Sequence, residues 1–243
     1  MRKGSLIKIL KADLRRVASS ERAKNLARFF KTGPGQYGEG DQFIGVTVPQ
    51  SRTVAKKYKD LPFEEIPTLL HSRIHEERLA ALLILIEQFK VADQRNDEKT
   101  REKIYRFYLD NTTYINNWDL VDLSASRIVG PYLEDKPKDI LRKLALSKSL
   151  WERRIAMIST FHYIWNGDPK WGLEIAEILL NDKHDLIHKA VGWMLREIGK
   201  NCGENVLTNF LDEHTGVIPR TTLRYAIEKF PEEKRQKYLT RTS

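Results

Sequence analysis

Trp118 and Asp122 stand four residues apart in Asn116-Asn117-Trp118-Asp119-Leu120-Val121-Asp122, where the pattern predicts the start of a helix. Four residues on, a helix returns to the same face, so indole and carboxylate share one side. Leu120, Val121 and Leu123 fall on other sides and can reach a core. An aromatic plate can stack on a ligand, and a carboxylate can face a positive charge. The structural alternative makes Trp118 a core anchor and Asp119 a first-turn acid favoured by the helix dipole.

Trp193 poses a similar question. In Lys189-Ala190-Val191-Gly192-Trp193-Met194-Leu195-Arg196, residues 189, 193 and 196 share one helical face, and Val191, Leu195 and Ile198 form the core face. Gly192 inside that helix costs about 1 kcal/mol against Ala, which calls for compensation by a close helix or a ligand. Trp193 either fills space between repeats or belongs to a Lys-Trp-Arg contact face.

Other candidate chemistry is excluded. Gly33-Pro34-Gly35-Gln36-Tyr37-Gly38 fits the dinucleotide pattern, but a predicted helix precedes it and Glu39 and Asp41 follow it. The pattern needs a strand before and a helix directly after, and two acids would repel a pyrophosphate, so this is a shaped turn or hinge. His71 and His75 have metal-binding spacing, but no acid or third His completes a set, so no metal is expected. His162, His188 and His214 are isolated and read as structural. A single cysteine, Cys202, excludes a disulfide framework and a cysteine zinc site.

The elements that must position these residues are helices throughout. Helices are predicted over 6–17 (capped by Ser5), from a Ser20 cap to a stop at Gly33, and over 49–59, 63–71, 75–89, 97–109 and 118–129. They continue over 137–146, 151–165, 170–180, 186–200, 204–211 and 220–230, with no convincing strand. Pro67 is awkward inside 63–71. A basic residue recurs at the start of an apolar helix at Arg78, Arg154, Lys189 and Arg224, the last three 35 positions apart. That spacing suggests an α-solenoid of HEAT type, with Arg78, Trp118, Asp122, Arg154 and Lys189 in a row along one concave surface.

Composition bounds the partner. The 243 residues form one predicted domain, 1–243, 41% hydrophobic. A net charge of +9 points toward a polyanion, nucleic acid first. Met1-Arg2-Lys3-Gly4-Ser5 leads into a helix carrying Lys8, Lys11 and Asp13, which is no signal peptide, and the longest apolar run, 79–86, is too short for a membrane span. A soluble, intracellular, cytoplasmic protein is expected.

Four ordered blocks carry a resemblance. They are Gly38-Glu39-Gly40-Asp41-x-Phe43-x-Gly45-Val46-x-x-Pro49-x-x-Arg52, Asn117-Trp118-Asp119-x-Val121-Asp122, Trp151-x-x-Arg154-x-Ala156, and Lys189-Ala190-x-Gly192-Trp193-x-Leu195-Arg196-Glu197. Across nearly its whole length the chain resembles the AlkD-like DNA alkylation repair family, DNA glycosylases built of HEAT-like repeats. The resemblance implies an all-α fold, a right-handed solenoid with a concave basic DNA-binding face. It implies Asp122 as the catalytic carboxylate, Trp118 and Trp193 flanking it against the DNA backbone, and Arg154 and Arg52 as DNA contacts. Lys189 and Arg196 join them on the basic face. Some relatives carry Tyr where Phe29 stands, so a hydroxyl contact is lost there while stacking remains open. The expected activity is base excision of 3-methyladenine and 7-methylguanine from duplex DNA, by a monomer, with no cofactor, metal or membrane. A non-catalytic HEAT-repeat scaffold for DNA or protein is the alternative. An RNA-binding repeat is weaker, since no repeated base-reading side chains are evident.

Overall fold

The computed structural model describes residues 5–241. The readings made on residues 1–4 and on the Ser5 side chain as a cap lie outside what it describes. The helices are α1 (Ser5–Arg16), α2 (Ser20–Phe29), α3 (Val48–Lys57), α4 (Ile66–Leu70), α5 (His75–Gln94), α6 (Glu98–Asp110) and α7 (Trp118–Tyr132). There follow α8 (Asp139–Ala145), α9 (Leu150–Ser159), α10 (Phe161–Trp165), α11 (Lys170–Leu179), α12 (Asp185–Asn201), α13 (Glu204–Glu213), α14 (Arg220–Ala226) and α15 (Glu232–Arg241). The protein is all-α; among the described residues the one extended pairing is a parallel bridge between Gln42 and Ile74.

Local chemistry explains where the helices start. Thr47 and Gln50 close a reciprocal capping box ahead of Pro49. Asp97 accepts from the Thr100 amide at 3.1 Å. The cap of α2 is Ser19, one residue before the expected Ser20, with its hydroxyl facing the Arg22 amide. Pro67 is not interior: a 3₁₀ turn, Phe63–Glu65, ends there and α4 begins anew with Pro67 in its first turn, where the missing N–H costs nothing. The helix expected over 151–165 breaks at Thr160. The Ser159 hydroxyl donates back to the Ile155 carbonyl and that of Thr160 to the Met157 carbonyl, each at 2.7 Å, in competition with the helical ladder. Helix α15 was not expected, because Glu232–Arg241 is almost wholly polar and carries no apolar stripe.

The chain divides into two compact units, Met1–Ser124 and Ala125–Ser243. The first is centred on α5, buried at every position from His75 to Ile86 and packed by α3, α4 and α6. A helix apolar on all sides needs such a surround, and the 79–86 run is this core. The second is centred on α12, which packs against α9, α11, α13 and α14.

A contact recurs at the starts of three helices, at Arg78 as spaced and one residue before Arg154 and Lys189 in the other two. Arg78 donates six residues back to the Ser72 carbonyl at 3.1 Å. Arg153 donates to the Ser147 carbonyl at 3.0 Å, and the His188 ring to that of Asp182 at 2.5 Å. Each basic side chain thus ties its helix to the turn before it, where carbonyls lack helical partners. The equivalent residues are Arg78, Arg153 and His188, and their role in the turn is structural.

Gly192 is explained by a helix. A Cβ there would meet the Thr222 carbonyl oxygen and the Tyr225 Cβ, each at 2.5 Å, where α14 crosses α12. An ordinary helix-interior Gly→Ala gains about 1 kcal/mol, but overpacking costs about 1–3 kcal/mol. Gly192→Ala is therefore expected to lower the unfolding free energy in urea, and a stabilised variant would overturn the close approach.

Candidate functional site

The Gly-rich segment between α2 and α3 is held by the first turn of α5. Glu76 is buried, and it accepts backbone amides from Ile44 at 3.1 Å, Gly45 at 2.8 Å and Val46 at 3.1 Å. Three amide donors satisfy this buried carboxylate without a cation. Gly45 has φ +81, and a Cβ on it would run into the Ser19 carbonyl, so this position requires glycine. The shape of the loop turns Asp41 inward.

Asp41 meets a buried charge cluster. His75 Nδ1 lies 3.2 Å from one Asp41 oxygen, and Arg78 donates to the other at 2.7 Å. His75 Nε2 lies 2.8 Å from Asp119. The Asn117 amide group donates to Asp41 at 3.1 Å, while its carbonyl oxygen accepts the Trp118 amide at 2.9 Å. Burial works against a charged His75, but the two carboxylates prevail and push its pKa up to about 9. Burial would also raise the Asp41 carboxyl, yet His75, Arg78 and Asn117 outweigh it and hold it below the ordinary range.

On this base stands a cluster of rings, with His75 also 5.1 Å from Phe30. His75 stacks on Phe43 at 4.6 Å, Phe43 on Phe30 at 5.0 Å, and Phe30 on Trp118 at 5.1 Å and 15°. Phe29 is 63% exposed and sets its edge against the Trp118 ring at 5.8 Å. Trp118 itself is half-buried. It is thus neither a plain core anchor nor a loose surface ring, but a plate with a supported back. One turn along α7, Asp122 is also half-buried. Burial, then the charge of Asp122, pushes the Tyr108 phenol upward, while its hydrogen bond with Ser124 at 2.8 Å pulls the other way. Arg52 is exposed on α3.

In the second unit, Lys189, Trp193 and Arg196 lie along α12. Lys189 pairs with Asp185 at 2.7 Å and Arg196 with Glu228. The Trp193 indole donates to Glu197 at 3.2 Å, and its ring lies 6.0 Å from that of Phe161. Arg154 is only 5% exposed, and its guanidinium donates to the Leu186 carbonyl at the start of α12. Phe29, Arg52, Trp118 and Asp122 therefore belong to the first unit, and Arg154, Lys189, Trp193 and Arg196 to the second.

A family model for DNA alkylation repair enzymes matches residues 10–230. The chain belongs to this family. A solved structure, a predicted DNA alkylation repair enzyme from Enterococcus faecalis, is similar with a TM-score of 0.65 over 88% of this chain and 97% of that one. At 15% identity this likeness is one of fold. No curated protein matches the sequence. No helix among the described residues is long and apolar enough to cross a membrane.

Within this DNA alkylation repair protein, the cluster beneath Trp118 leaves little trace in the local sequence pattern. Spacing alone offers His75 only as a metal ligand beside His71. His71 instead meets Asn111 at 2.8 Å and stacks on Tyr114, and no group of three potential ligands forms among the described residues. Asp119 was read as a first-turn acid, and it is the buried partner of His75. The available signal was the acid of Gly40-Asp41 in the first block, a carboxylate in a shaped loop with no phosphate to bind.

The folded His75 pKa lies above the ordinary value of 6.5. Its contribution to stability is therefore complete below 6.5 and is lost as pH climbs through about 9. Urea midpoints are expected to fall steadily from pH 6.5 toward pH 9.5. A flat curve over that range would show that the imidazolium adds nothing.

Proposed function

We propose that this protein is a DNA glycosylase of base excision repair. It hydrolyses the N-glycosidic bond of cationic alkylated purines, 3-methyladenine and 7-methylguanine, in duplex DNA. The observation that carries this reading is the pairing on α7 of a half-buried Trp118, backed by stacked rings, with a half-buried Asp122 one turn on. Membership of a DNA alkylation repair family and a net charge of +9 support it.

The chemistry asks little of the protein. A base alkylated at N7 of guanine or N3 of adenine is cationic and leaves as a neutral molecule. The glycosidic electron pair departs with the base, and positive charge develops on the sugar. Water then adds to the anomeric carbon and loses a proton. A carboxylate beside the sugar stabilises the oxocarbenium-like transition state. At ~4 Å and an effective dielectric of ~20, one charge pair is worth roughly 4 kcal/mol. That is about three powers of ten in rate, enough for a lesion that already departs readily but not for a normal base. Asp122 takes this role, and the same carboxylate can act as the base that takes the proton of the attacking water.

Trp118 is the plate that meets the sugar-phosphate backbone, with Phe29 extending it by stacking alone. Trp193, on the second unit, offers another plate. Arg52, Lys189 and Arg196 contact phosphates, the last two by exchanging Asp185 and Glu228 for DNA. We assign buried Arg154 to holding the start of α12, the helix that carries Lys189 and Trp193. Recognition comes from the backbone side, and a complex with the lesion extruded into a deep protein pocket would overturn it. Such an enzyme works as a monomer, inside the cell, on duplex DNA.

Asp122→Asn is expected to slow release of 7-methylguanine by about a thousandfold while duplex affinity stays the same. Unchanged release would remove Asp122 from the mechanism. Absence of free base from the unaltered protein, across a panel of methylated duplexes, would leave a helical DNA-binding scaffold instead. Arg52→Ala is expected to lower the slope of log affinity against log salt by about 1, as loss of one phosphate contact does. An unchanged slope would place Arg52 off the DNA.

A further inference from the structure

We propose that His75 is a positioning residue for Trp118: as an imidazolium donating from both ring nitrogens to Asp41 and Asp119, it sets the first turn of α7 and the tilt of the indole plate. The proposal rests on reading Trp118 as the DNA-facing plate. The chemistry proposed above gives His75 no part.

The geometry ties both chain neighbours of Trp118 to the same cluster. Asp119 follows it; one carboxylate oxygen faces His75 Nε2 at 2.8 Å and the other accepts the Leu120 amide at 2.8 Å. Asn117 precedes it and bridges the Trp118 amide to Asp41. The rings of His75, Phe43 and Phe30 contact one another, with His75 5.1 Å from Phe30, and Phe30 stacks on Trp118, so one ring links the imidazole to the indole. Both the backbone before and after the indole and the ring behind it thus lead to one buried side chain, 2% exposed.

The protonation state follows from the partners. A neutral imidazole donates from one nitrogen and presents a lone pair at the other. With a carboxylate at each nitrogen, the neutral ring would repel one of them. The charged groups facing His75 are Asp41 from the loop, Asp119 from α7 and Arg78 from its own helix. Phe30 and Phe43 contribute only neutral rings. The other acids of the turn are engaged elsewhere: Glu76 by the amides of residues 44–46, Glu77 by Lys11 at 2.8 Å and Ser72 at 2.7 Å. With His75 charged, two cations face two anions. Without its proton, a buried carboxylate is left uncompensated, a costly state that Asp119 and α7 can relieve only by moving.

The test follows Trp118 itself. Tryptophan fluorescence and near-ultraviolet circular dichroism are recorded from pH 7 to pH 10 for the protein and for Trp118→Phe, and the difference isolates this indole. That difference is expected to change along one ionisation centred near 9 while helicity holds, and to lose the transition in His75→Gln. Release of 7-methylguanine by His75→Gln is expected to show kcat reduced roughly tenfold with KM within about twofold, and no alkaline limb centred where the indole signal titrates. A Trp118 signal that stays flat across the range in the unaltered protein overturns the proposal, and that measurement needs no change at His75. So does a His75→Gln protein whose signal still titrates and whose kcat is unchanged. If the signal titrates as expected but no methylated duplex yields free base, the positioning role stands and the glycosylase reading fails.

Discussion

A charged histidine between two carboxylates is the constraint on which the first unit depends. Asp41 comes from a glycine-rich loop, His75 from the core helix α5, and Asp119 from the start of α7. Three segments far apart in sequence converge on one ring. Burying these charges is tolerable because each is paired, and because Arg78 and Asn117 take up further lone pairs of Asp41. Remove one partner and the remainder become a liability, so the cluster specifies a single arrangement of loop and helices.

The glycine-rich loop acquires its meaning from that cluster. The stretch with phosphate-cradle spacing bonds within itself, the Gly35 amide donating to Glu39 at 2.8 Å, and the amides of residues 44–46 further along turn to the Glu76 carboxylate, an anion supplied by the protein itself. Gly45 allows the close approach to α2 and Asp41 supplies the charge that answers His75. The same physics that would bind a ligand phosphate here fastens one segment of the chain to another.

The two Trp residues are supported differently. Trp118 stacks on Phe30, one of a cluster of rings that includes the buried His75 imidazole. Trp193 is held by a hydrogen bond to Glu197 on its own helix and an oblique contact with Phe161. A rigid plate beside Asp122 suits a step in which charge develops at a defined place.

Much was legible in the residues alone. Helical periodicity, caps and the placement of Pro and Gly determined an all-α protein, and they located nearly every helix because these signals act within a few residues. The pairing of Trp118 with Asp122 on one face followed from four-residue spacing. Local signals failed where a long-range contact decided the outcome. Gly192 posed a choice between a helix and a ligand, and only the crossing of α14 answered it. The repeated basic residues looked like an outward row, yet Arg78 and Arg154 are buried on backbone carbonyls, because burial depends on neighbours that spacing does not show. His71 and His75 share a spacing and nothing else, since their partners are distant in sequence. The residue types of the candidate site were a property of the sequence. Which acid is left half-buried and which is locked to a buried histidine was decided by tertiary structure, because a carboxylate's role depends on what faces it.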